Sequence, residues 1–445
     1  MSKGDPGQFG LGQAISGSLL VYALGAALAF FSQILLARLM GAAEYGIYYY
    51  AFSWFLVIAL FSQFGIDQTL LRFMPVYAHD GDWPKAKGIL NLGGRLVTAN
   101  GLFLGAVLVA VVLALGDRLE ASQRNTFLIA ALCLPFRGLI YIRQATLRSF
   151  MFTVRSLLPD AVIVPVVLMA LVASLQWISH GLTAPMVMGA TLAALSISFL
   201  VGAYWQSRLV PAELRLAKPS YKMKLWLQLA FTMLAINGAH MLLNNVDLLI
   251  LGLFRSPSEV GIYGVSSRVA SIVTFILVAS YPVFAPLIAK QHAIGKREEL
   301  QHAIAHGMRP IAVGAAVLAL TLMVFGAAIL GLFGEEFKRG QTVLSILVIG
   351  QTINALCGPV ALLLAYAGQE TVVAKVLVGA VAVSIGLNFL VIPRFGMEGA
   401  ASVTALCTIF WNLTLYVLTR RRLGIDSTGW LSVATARNAK RVDRG

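Results

Sequence analysis

Charged residues and cysteines are both scarce in this 445-residue chain. Charged side chains make up 12% of it and hydrophobic ones 58%, whereas soluble domains carry roughly 25% charged and about 45–50% apolar residues. So few charges cannot cover a soluble surface, which excludes a cytosolic enzyme and a disordered protein. The three cysteines all lie inside apolar runs, which excludes a disulfide framework and a Cys-rich metal site.

Signatures of catalysis and nucleotide binding are also missing from the sequence. It contains no P-loop, so we expect no ATP hydrolysis on this chain. It contains no HExxH pattern, no readable Ser/His/Asp set and no loop long enough for a catalytic domain. We therefore expect a protein that is not an enzyme and that uses no cofactor or metal. Coupling to Na⁺, to H⁺ or to the membrane potential stays open.

Long apolar stretches dominate what is present, each near the roughly 20 residues that one bilayer span needs. None alternates with the two-residue period of an outer-membrane barrel. The sequence therefore predicts an all-α polytopic membrane protein with about twelve transmembrane helices. The stretches lie near residues 14–38, 46–71, 92–115, 126–148, 157–178, 183–206, 225–251, 261–288, 310–333, 341–366, 371–392 and 398–419.

The basic residues are distributed unevenly between the two sides of these helices. Of the 34 Lys and Arg residues, 25 fall on the side of the tails and even-numbered loops, 7 on the opposite side and 2 within helices. Because cytoplasmic loops carry the basic excess, we expect both termini in the cytoplasm. The net charge of +15 then needs no nucleic acid, and the basic tail should lie against anionic lipids.

An internal repeat divides the chain into similar halves. Residues 41–48 read GAAEYGIY and residues 256–263 read SPSEVGIY, an offset of 215 that also aligns Gly181 with Gly396. Two six-helix bundles related by a parallel repeat are expected, an architecture of transporters that work by alternating access. The predicted regions are an N-terminal bundle (1–206), a cytoplasmic linker (207–224), a C-terminal bundle (225–420) and a basic cytoplasmic tail (421–445).

Arginines at membrane depth are candidates for substrate binding, because ionisable groups there are costly. Arg137 lies in the middle of the fourth span, and helical spacing places Gln144, Arg148 and Arg155 on the same face. Guanidinium groups bind phosphate bidentately, so Arg137, Arg148 and the eighth-span Arg268 are predicted to line a cavity for an anionic headgroup. The alternative for Arg148 and Arg155 is snorkelling to the membrane surface.

The seventh span carries a polar stripe of Asn237, His240, Asn244 and Asp247 at helical spacing. Asp247 and Arg268 should lie at similar depth on either side of the outer turn, and we expect them to pair or to share a hydrated site. A purely structural clasp between the two helices is the alternative. Asp247, Asn244 and His240 are therefore candidates for ion coupling or gating.

Two further carboxylates lie in the first half. Asp67, in the second span, is a candidate proton or cation site, or else it holds Arg72 or Arg95 at the cytoplasmic mouth. The repeat aligns Asp160 with Lys375, each at the start of the fifth helix of its half. A salt bridge between these two residues is a further hypothesis.

Three sequence runs carry a family resemblance that covers essentially the whole chain. ARLMGAAEYGIYYYAF (37–52), FGIDQTLLRF (64–73) and IPRFGMEGAAS (392–402) resemble bacterial polysaccharide-export flippases of the multidrug/oligosaccharidyl-lipid/polysaccharide (MOP) exporter superfamily. The resemblance implies a flippase that moves a lipid-linked oligosaccharide, typically on a polyprenyl pyrophosphate, to the outer leaflet. Such transport serves the synthesis of cell-surface polysaccharide or exopolysaccharide.

Two departures from related families narrow the range of substrates that we expect. Lipid II flippases carry an Arg-Asp pair in the first helix where this chain has Ser32 and Gln33, which argues against a peptidoglycan precursor. The first helix has no carboxylate, which weakens the alternative of a cation-coupled multidrug or organic-cation antiporter. The functions of a membrane glycosyl polymerase or ligase and of an assembly scaffold stay open as well. Expected partners are a lipid-linked sugar, anionic lipids and other polysaccharide-synthesis proteins.

Overall fold

The computed structural model describes residues 6–429 apart from residues 180 and 295. Throughout that part of the chain the secondary structure is helical, and it contains no strand. The chain divides into two compact units, Met1–Met241 (unit 1) and Leu242–Gly445 (unit 2). This division follows packing, whereas the predicted bundle limits follow the repeat, so those limits stay a prediction.

Unit 1 contains eight complete helices, short turns of 3₁₀ helix (Gly116–Arg118) and π-helix (Pro159–Ile163), and most of a ninth helix that continues into unit 2. These helices are α1 (Pro6–Gln63), α2 (Ile66–His79), α3 (Trp83–Leu115), α4 (Ala121–Ser149), α5 (Thr153–Leu158), α6 (Val164–Ser179), α7 (Ala184–Leu209), α8 (Ala212–Leu216) and α9 (Met223–Leu243).

Unit 2 contains seven further helices and a 3₁₀ segment, Glu335–Gly340. The helices are α10 (Val246–Phe254), α11 (Pro257–Ala270), α12 (Ile272–Ile294), α13 (Arg297–Gly331), α14 (Gln341–Cys357), α15 (Val360–Tyr366) and α16 (Glu370–Leu423).

The all-α, multi-pass prediction is confirmed. Within the described residues, nine helices are long and apolar enough to cross a membrane, and the bent pair Pro257–Ala270 with Ile272–Tyr281 makes a tenth. Two of the nine are runs of 44 and 54 residues, each longer than the roughly 20 residues of one span. Non-helical dihedral angles interrupt these runs at Gly41 and Gly396. If each run supplies two spans the count reaches twelve, which stays a prediction.

The repeat is visible in where the helices are interrupted. The break at Gly41 corresponds to Ser256, the residue that caps α11, at an offset of 215. The gap between α6 and α7, which contains Gly181, corresponds to the break at Gly396. Glycine suits both breaks, because Gly41 and Gly396 have φ of 73° and 58°, values that a side chain disfavours.

The predicted linker (207–224) and the start of α9 pack on α2 and α3 within unit 1. Trp226 is 0% exposed, and its indole N–H donates to the Tyr77 hydroxyl over 3.1 Å. The backbone N–H of Ser220 donates to the carbonyl of Pro84 over 2.9 Å. A Cβ on Gly88 would lie 1.8 Å from the Ser220 carbonyl oxygen, so only glycine allows this approach. These contacts explain why the start of α9 belongs to unit 1.

Helix α4 lies at the centre of unit 1, where it packs against α1, α3 and α7. A Cβ on Gly138 would lie 2.3 Å from Cγ1 of Val97, so the absence of a side chain lets α3 and α4 approach closely. The next residue toward the N-terminus is Arg137, which α4 therefore holds deep within the unit.

Residues 424–429 follow α16 and dock on the other helices of unit 2. Gln301 and Asp426 exchange hydrogen bonds: the Gln301 amide donates to the Asp426 carbonyl over 2.9 Å and accepts from its N–H over 2.7 Å. The Ser427 hydroxyl donates to the carbonyl of Cys357 over 2.6 Å. Ile425 is buried in the cluster formed by α12, α13 and α15. This segment, which we call the terminal clasp, ties α13 to the end of α14.

Candidate functional site

The membrane-depth arginine of unit 1 forms an ion pair. One terminal N–H group of Arg137, Nη1, pairs with the Asp160 carboxylate, and Nη2 donates to the Tyr141 hydroxyl over 2.6 Å. The guanidinium carbon lies 4.5 Å from the centroid of the Tyr141 ring, a cation–π distance. The Arg137 and Asp160 side chains are 14% and 26% exposed, so an edge of the pair stays accessible.

Arg137 also has a nitrogen atom that makes none of these contacts. Its Nε is buried and has no hydrogen-bond partner among the residues that the structure describes. A buried donor without an acceptor costs free energy, and active and binding sites are where such groups persist. The Arg137 side chain therefore has capacity for a further acceptor.

Asp160 reaches Arg137 from a π-helical turn, Pro159–Ile163, between α5 and α6. π-Helical turns are rare, and they occur frequently at functional sites. Close packing fixes this turn against α1, because a Cβ on Gly25 would lie 2.7 Å from Cβ of Ala161. Asp160, which the repeat aligns with Lys375, thus has Arg137 as its ion-pair partner.

The predicted cationic stripe is shorter than expected. Arg148 and Gln144 are neighbours on α4, as predicted, and Nη2 of Arg148 donates to the Gln144 side-chain oxygen over 3.4 Å. Helix α4 ends at Ser149, however, and Met151 adopts a positive φ of 65°. Arg155 lies on the separate helix α5, so the expectation that it continues the stripe is wrong.

The membrane-depth carboxylate of unit 2 is held by hydroxyl groups. Asp247 is 4% exposed and lies in the first turn of α10. It accepts hydrogen bonds from the Tyr263 hydroxyl, from the Thr404 hydroxyl over 2.6 Å and from the N–H of Leu248 over 2.8 Å. Throughout the described residues no Lys, Arg or His forms a salt bridge with this carboxylate.

The expected pair of Asp247 with Arg268 is therefore wrong. Instead, the hydroxyl group of Tyr263, on the buried face of α11, donates a hydrogen bond to Asp247. Arg268 follows five residues later, which rotates it by about 140° around the helix, and its side chain is exposed. The sequence predicted that Asp247 and Arg268 lie at similar depth, but similar depth does not make their side chains face each other.

The predicted polar stripe of the seventh span is interrupted. Helix α9 ends at Leu243, and α10 begins at Val246 after a turn at Asn244 and Asn245. His240 and Asn244 are exposed whereas Asp247 is buried. The four residues therefore do not share one continuous helix face, and only Asp247 is enclosed.

Asp67 does not hold either of the arginines proposed for it. It lies in the first turn of α2, after Gly65 with φ of 70°, and accepts a hydrogen bond from the Gln68 amide over 2.9 Å. Arg72 is exposed, with its guanidinium 5.9 Å from the Phe73 ring centroid, and neither Arg72 nor Arg95 pairs with Asp67. Asp67 thus remains a partly buried carboxylate at a helix start.

Three residues at these sites were not predicted from the sequence. Tyr141 lies four residues after Arg137, a spacing that brings side chains together on a helix, so the sequence could have predicted this contact. Tyr263 and Thr404 join Asp247 from 16 and 157 residues away. No periodicity within a single helix could have identified those two donors.

Two family models match the chain. The model described as "Polysaccharide biosynthesis protein" matches residues 11–292, more than half of the chain. The model described as "MatE" matches residues 229–390. The two matches overlap between residues 229 and 292, so together they extend over both units.

Relatives of known description are distant but extend over most of the chain. A probable low-salt glycan biosynthesis flippase, Agl15 of Haloferax volcanii, is 22% identical over 92% of this chain and 84% of its own length. An inward-facing multidrug resistance MATE family transporter of the MOP superfamily superimposes with a TM-score of 0.73 at 13% identity, covering 91% of this chain and 94% of the other. The lipid II flippase MurJ, inward closed, gives 0.69 at 14% identity, covering 90% and 87%.

Proposed function

The chain belongs to the polysaccharide biosynthesis protein family, and from this premise we propose that it flips a lipid-linked oligosaccharide across a bacterial cytoplasmic membrane. It is a multi-pass membrane protein of the MOP flippase and transporter class. The proposed cargo is carried on a polyprenyl pyrophosphate and moves by alternating access. It serves the synthesis of cell-surface polysaccharide or exopolysaccharide, and the protein itself catalyses no covalent step.

The observation that carries this proposal is a guanidinium at membrane depth in unit 1. Arg137 presents a planar set of N–H donors, including a buried Nε–H without a partner among the described residues, and such donors match the oxygen atoms of a phosphate. A pyrophosphate is the one strongly anionic part of a lipid-linked sugar. Arg148, half-buried on the same helix, and Arg268, exposed on α11, are proposed as further cations for this headgroup.

Asp247 is proposed as the coupling residue. An ionised carboxylate held only by neutral donors is poorly compensated, so uptake of H⁺ or Na⁺ would relieve the charge. Asp67, Asn244 and His240 stay secondary candidates because they are less enclosed. The membrane potential is a further source of drive, since it contributes about 2.3 kcal/mol per charge per 100 mV to outward movement of an anion.

Orientation and partners complete the proposal. Both termini are proposed to lie in the cytoplasm, where other polysaccharide-synthesis proteins deliver the cargo. The basic side chains of the predicted tail, most of which (430–445) lies outside the described residues, are proposed to contact anionic lipids. No nucleic acid partner is proposed. A single cysteine introduced near Lys218 should resist impermeant thiol reagents from outside, whereas one near Gly116 should react. The opposite pattern would overturn the orientation.

The deciding experiment is loss of export. Deleting the gene should deplete surface polysaccharide and leave polyprenyl-linked sugar in the inner leaflet. Export per membrane-inserted molecule should be mostly lost with Arg137→Ala and partly lost with Arg137→Lys, because lysine keeps the charge but not the bidentate geometry. Unchanged surface polysaccharide in the deletion strain would refute the proposal.

An organic-cation antiporter is the second candidate, and two observations favour it. The MatE model matches residues 229–390, and Asp247 is a buried carboxylate without a cationic partner in the described part of the chain. Increased sensitivity of the deletion strain to cationic dyes, with normal polysaccharide, would support this candidate. The basic character of the unit 1 site argues against it, since a cationic substrate would be repelled there.

A further inference from the structure

The ion pair of unit 1 occupies part of the guanidinium that a phosphate would bind. Asp160 takes an N–H of Nη1 of Arg137 and Tyr141 takes an N–H of Nη2, which leaves the second N–H of each terminal nitrogen and the buried Nε–H. A carboxylate and a phosphate both bind a guanidinium through their oxygen atoms. The two anions therefore compete for Nη1 and for the single positive charge of Arg137.

Asp160 is held weakly enough to be displaced. Among the described residues Arg137 is the one group that donates a hydrogen bond to its carboxylate. The Asp160 side chain is 26% exposed, so solvent or an incoming headgroup reaches it. Its backbone belongs to a π-helical turn rather than to an uninterrupted α-helix, and such turns interrupt regular packing. Tyr141 is neutral and on the same helix as Arg137, so it can remain in place when the anion changes.

We propose that Asp160 is a displaceable counter-anion: it neutralises Arg137 in the substrate-free molecule and is replaced there by the pyrophosphate headgroup. This inference rests on the proposed function and adds a residue that sets headgroup affinity. Binding must break the Arg137–Asp160 pair, so the headgroup is held less tightly than by a free arginine. A transporter gains from this, because a ligand bound too tightly in one state is not released from the next.

The test measures binding of farnesyl pyrophosphate, a short polyprenyl pyrophosphate, to the purified full-length protein. Asp160→Asn should lower its Kd about tenfold, within the usual range of coupling between two competing interactions. Arg137→Ala should abolish most binding, and adding Asp160→Asn to it should restore nothing. Farnesol, which lacks the anion, should bind wild type and Asp160→Asn equally.

A matched control is available at the surface. Asp82 also pairs with a basic residue, Lys85, and caps α3 through the N–H of Lys85. Asparagine caps a helix as well as aspartate does, so Asp82→Asn removes one carboxylate charge from an ion pair outside the site. Its Kd for farnesyl pyrophosphate should equal that of the wild type.

Two results would overturn the inference. One is an unchanged or higher Kd for farnesyl pyrophosphate in Asp160→Asn, and the other is an equal decrease in Kd when Asp160→Asn is added to Arg137→Ala. If Asp160→Asn does not fold, labelling of wild-type Asp160 by dicyclohexylcarbodiimide, followed by mass spectrometry, replaces it. Farnesyl pyrophosphate should increase that labelling, and no increase would overturn the inference. Normal export in the deletion strain, with an Arg137-dependent decrease in Kd for Asp160→Asn, would instead refute only the proposed function.

Discussion

Unit 1 and unit 2 compensate the charges of Arg137 and Asp247 differently. Arg137 has a partner of opposite charge, Asp160, whereas the partners of Asp247 among the described residues are the hydroxyl groups of Tyr263 and Thr404 and the backbone N–H of Leu248. A charge compensated by a charge can exchange that partner for another anion. A carboxylate compensated by neutral dipoles can instead take up a proton or a small cation. The two units are thus suited to ligands of opposite sign.

The largest effect should come from removing the cation of unit 1. Arg137→Ala leaves Asp160 without its partner, which should cost about 2 kcal/mol of unfolding free energy, less than in a fully buried pair because both side chains are partly exposed. The double variant Arg137→Ala/Asp160→Ala should recover part of this loss. Denaturant unfolding in detergent measures it. A double variant as unstable as the sum of the singles would contradict the pairing.

Replacing the carboxylate of each unit, Asp160 or Asp247, with asparagine should distinguish the two units. Asp247→Asn keeps an oxygen acceptor for Tyr263 and Thr404, so stability should stay near the wild-type value while coupled export is lost. Asp247→Leu leaves those hydroxyl groups without an acceptor and should cost about 1–2 kcal/mol. Asp160→Asn should destabilise unit 1, since it leaves the Arg137 charge uncompensated. Equal losses of stability for Asp160→Asn and Asp247→Asn would erase the distinction.

Removing one tyrosine hydroxyl in each unit gives a smaller and closely matched test. Tyr263→Phe removes a donor to the buried Asp247 carboxylate and should cost about 1–2 kcal/mol. Tyr141→Phe should cost less, because Arg137 keeps its ion pair and its contact with the aromatic ring. Thermal unfolding of the two variants side by side measures the difference. A larger loss for Tyr141→Phe would reverse the ranking.

The smallest effect is expected at the surface pair, which provides a baseline for both sites. A hydrogen bond from the Lys85 ammonium lowers the pKa of Asp82. The stabilisation is therefore fully present above the unfolded-state pKa and is lost as the pH falls through the lowered folded-state value. Asp82→Asn should be slightly less stable than wild type near neutral pH, and the two should converge in acid. A difference that grows in acid would contradict this assignment.

The sequence predicted the elements better than the contacts between them. Apolar length identified the helices, and the gaps between predicted spans at 39–45 and 393–397 contain Gly41 and Gly396, where the two long helical runs are interrupted. Both membrane-depth charges, Arg137 and Asp247, were also found, because an ionisable residue in an apolar run is conspicuous. These features depend on composition and spacing along a single segment.

The partners of those charges depend on rotation and tertiary packing, which spacing does not determine. Depth alone suggested that Arg268 is the partner of Asp247. The rotation of α11 about its axis places Tyr263 at Asp247 instead. Asp160 reaches Arg137 across 23 residues through a π-helical turn, and a single-residue insertion of this kind has no sequence signature. Two helices also end earlier than predicted, at Leu243 and Ser149. These ends interrupt the polar stripe of the seventh span and the cationic stripe of the fourth span, both of which were predicted to be continuous.

The terminal clasp has a consequence for how the protein is made. Gln301 and Asp426 are 125 residues apart, and a ribosome adding about 5–20 residues per second needs roughly 6–25 s to cover that distance. For that interval α13 is already synthesised while its partner for Gln301 does not yet exist. Unit 2 can therefore complete its packing only after the terminal clasp has been synthesised, and until then the side chain of Gln301 lacks the partner that it has in the folded protein.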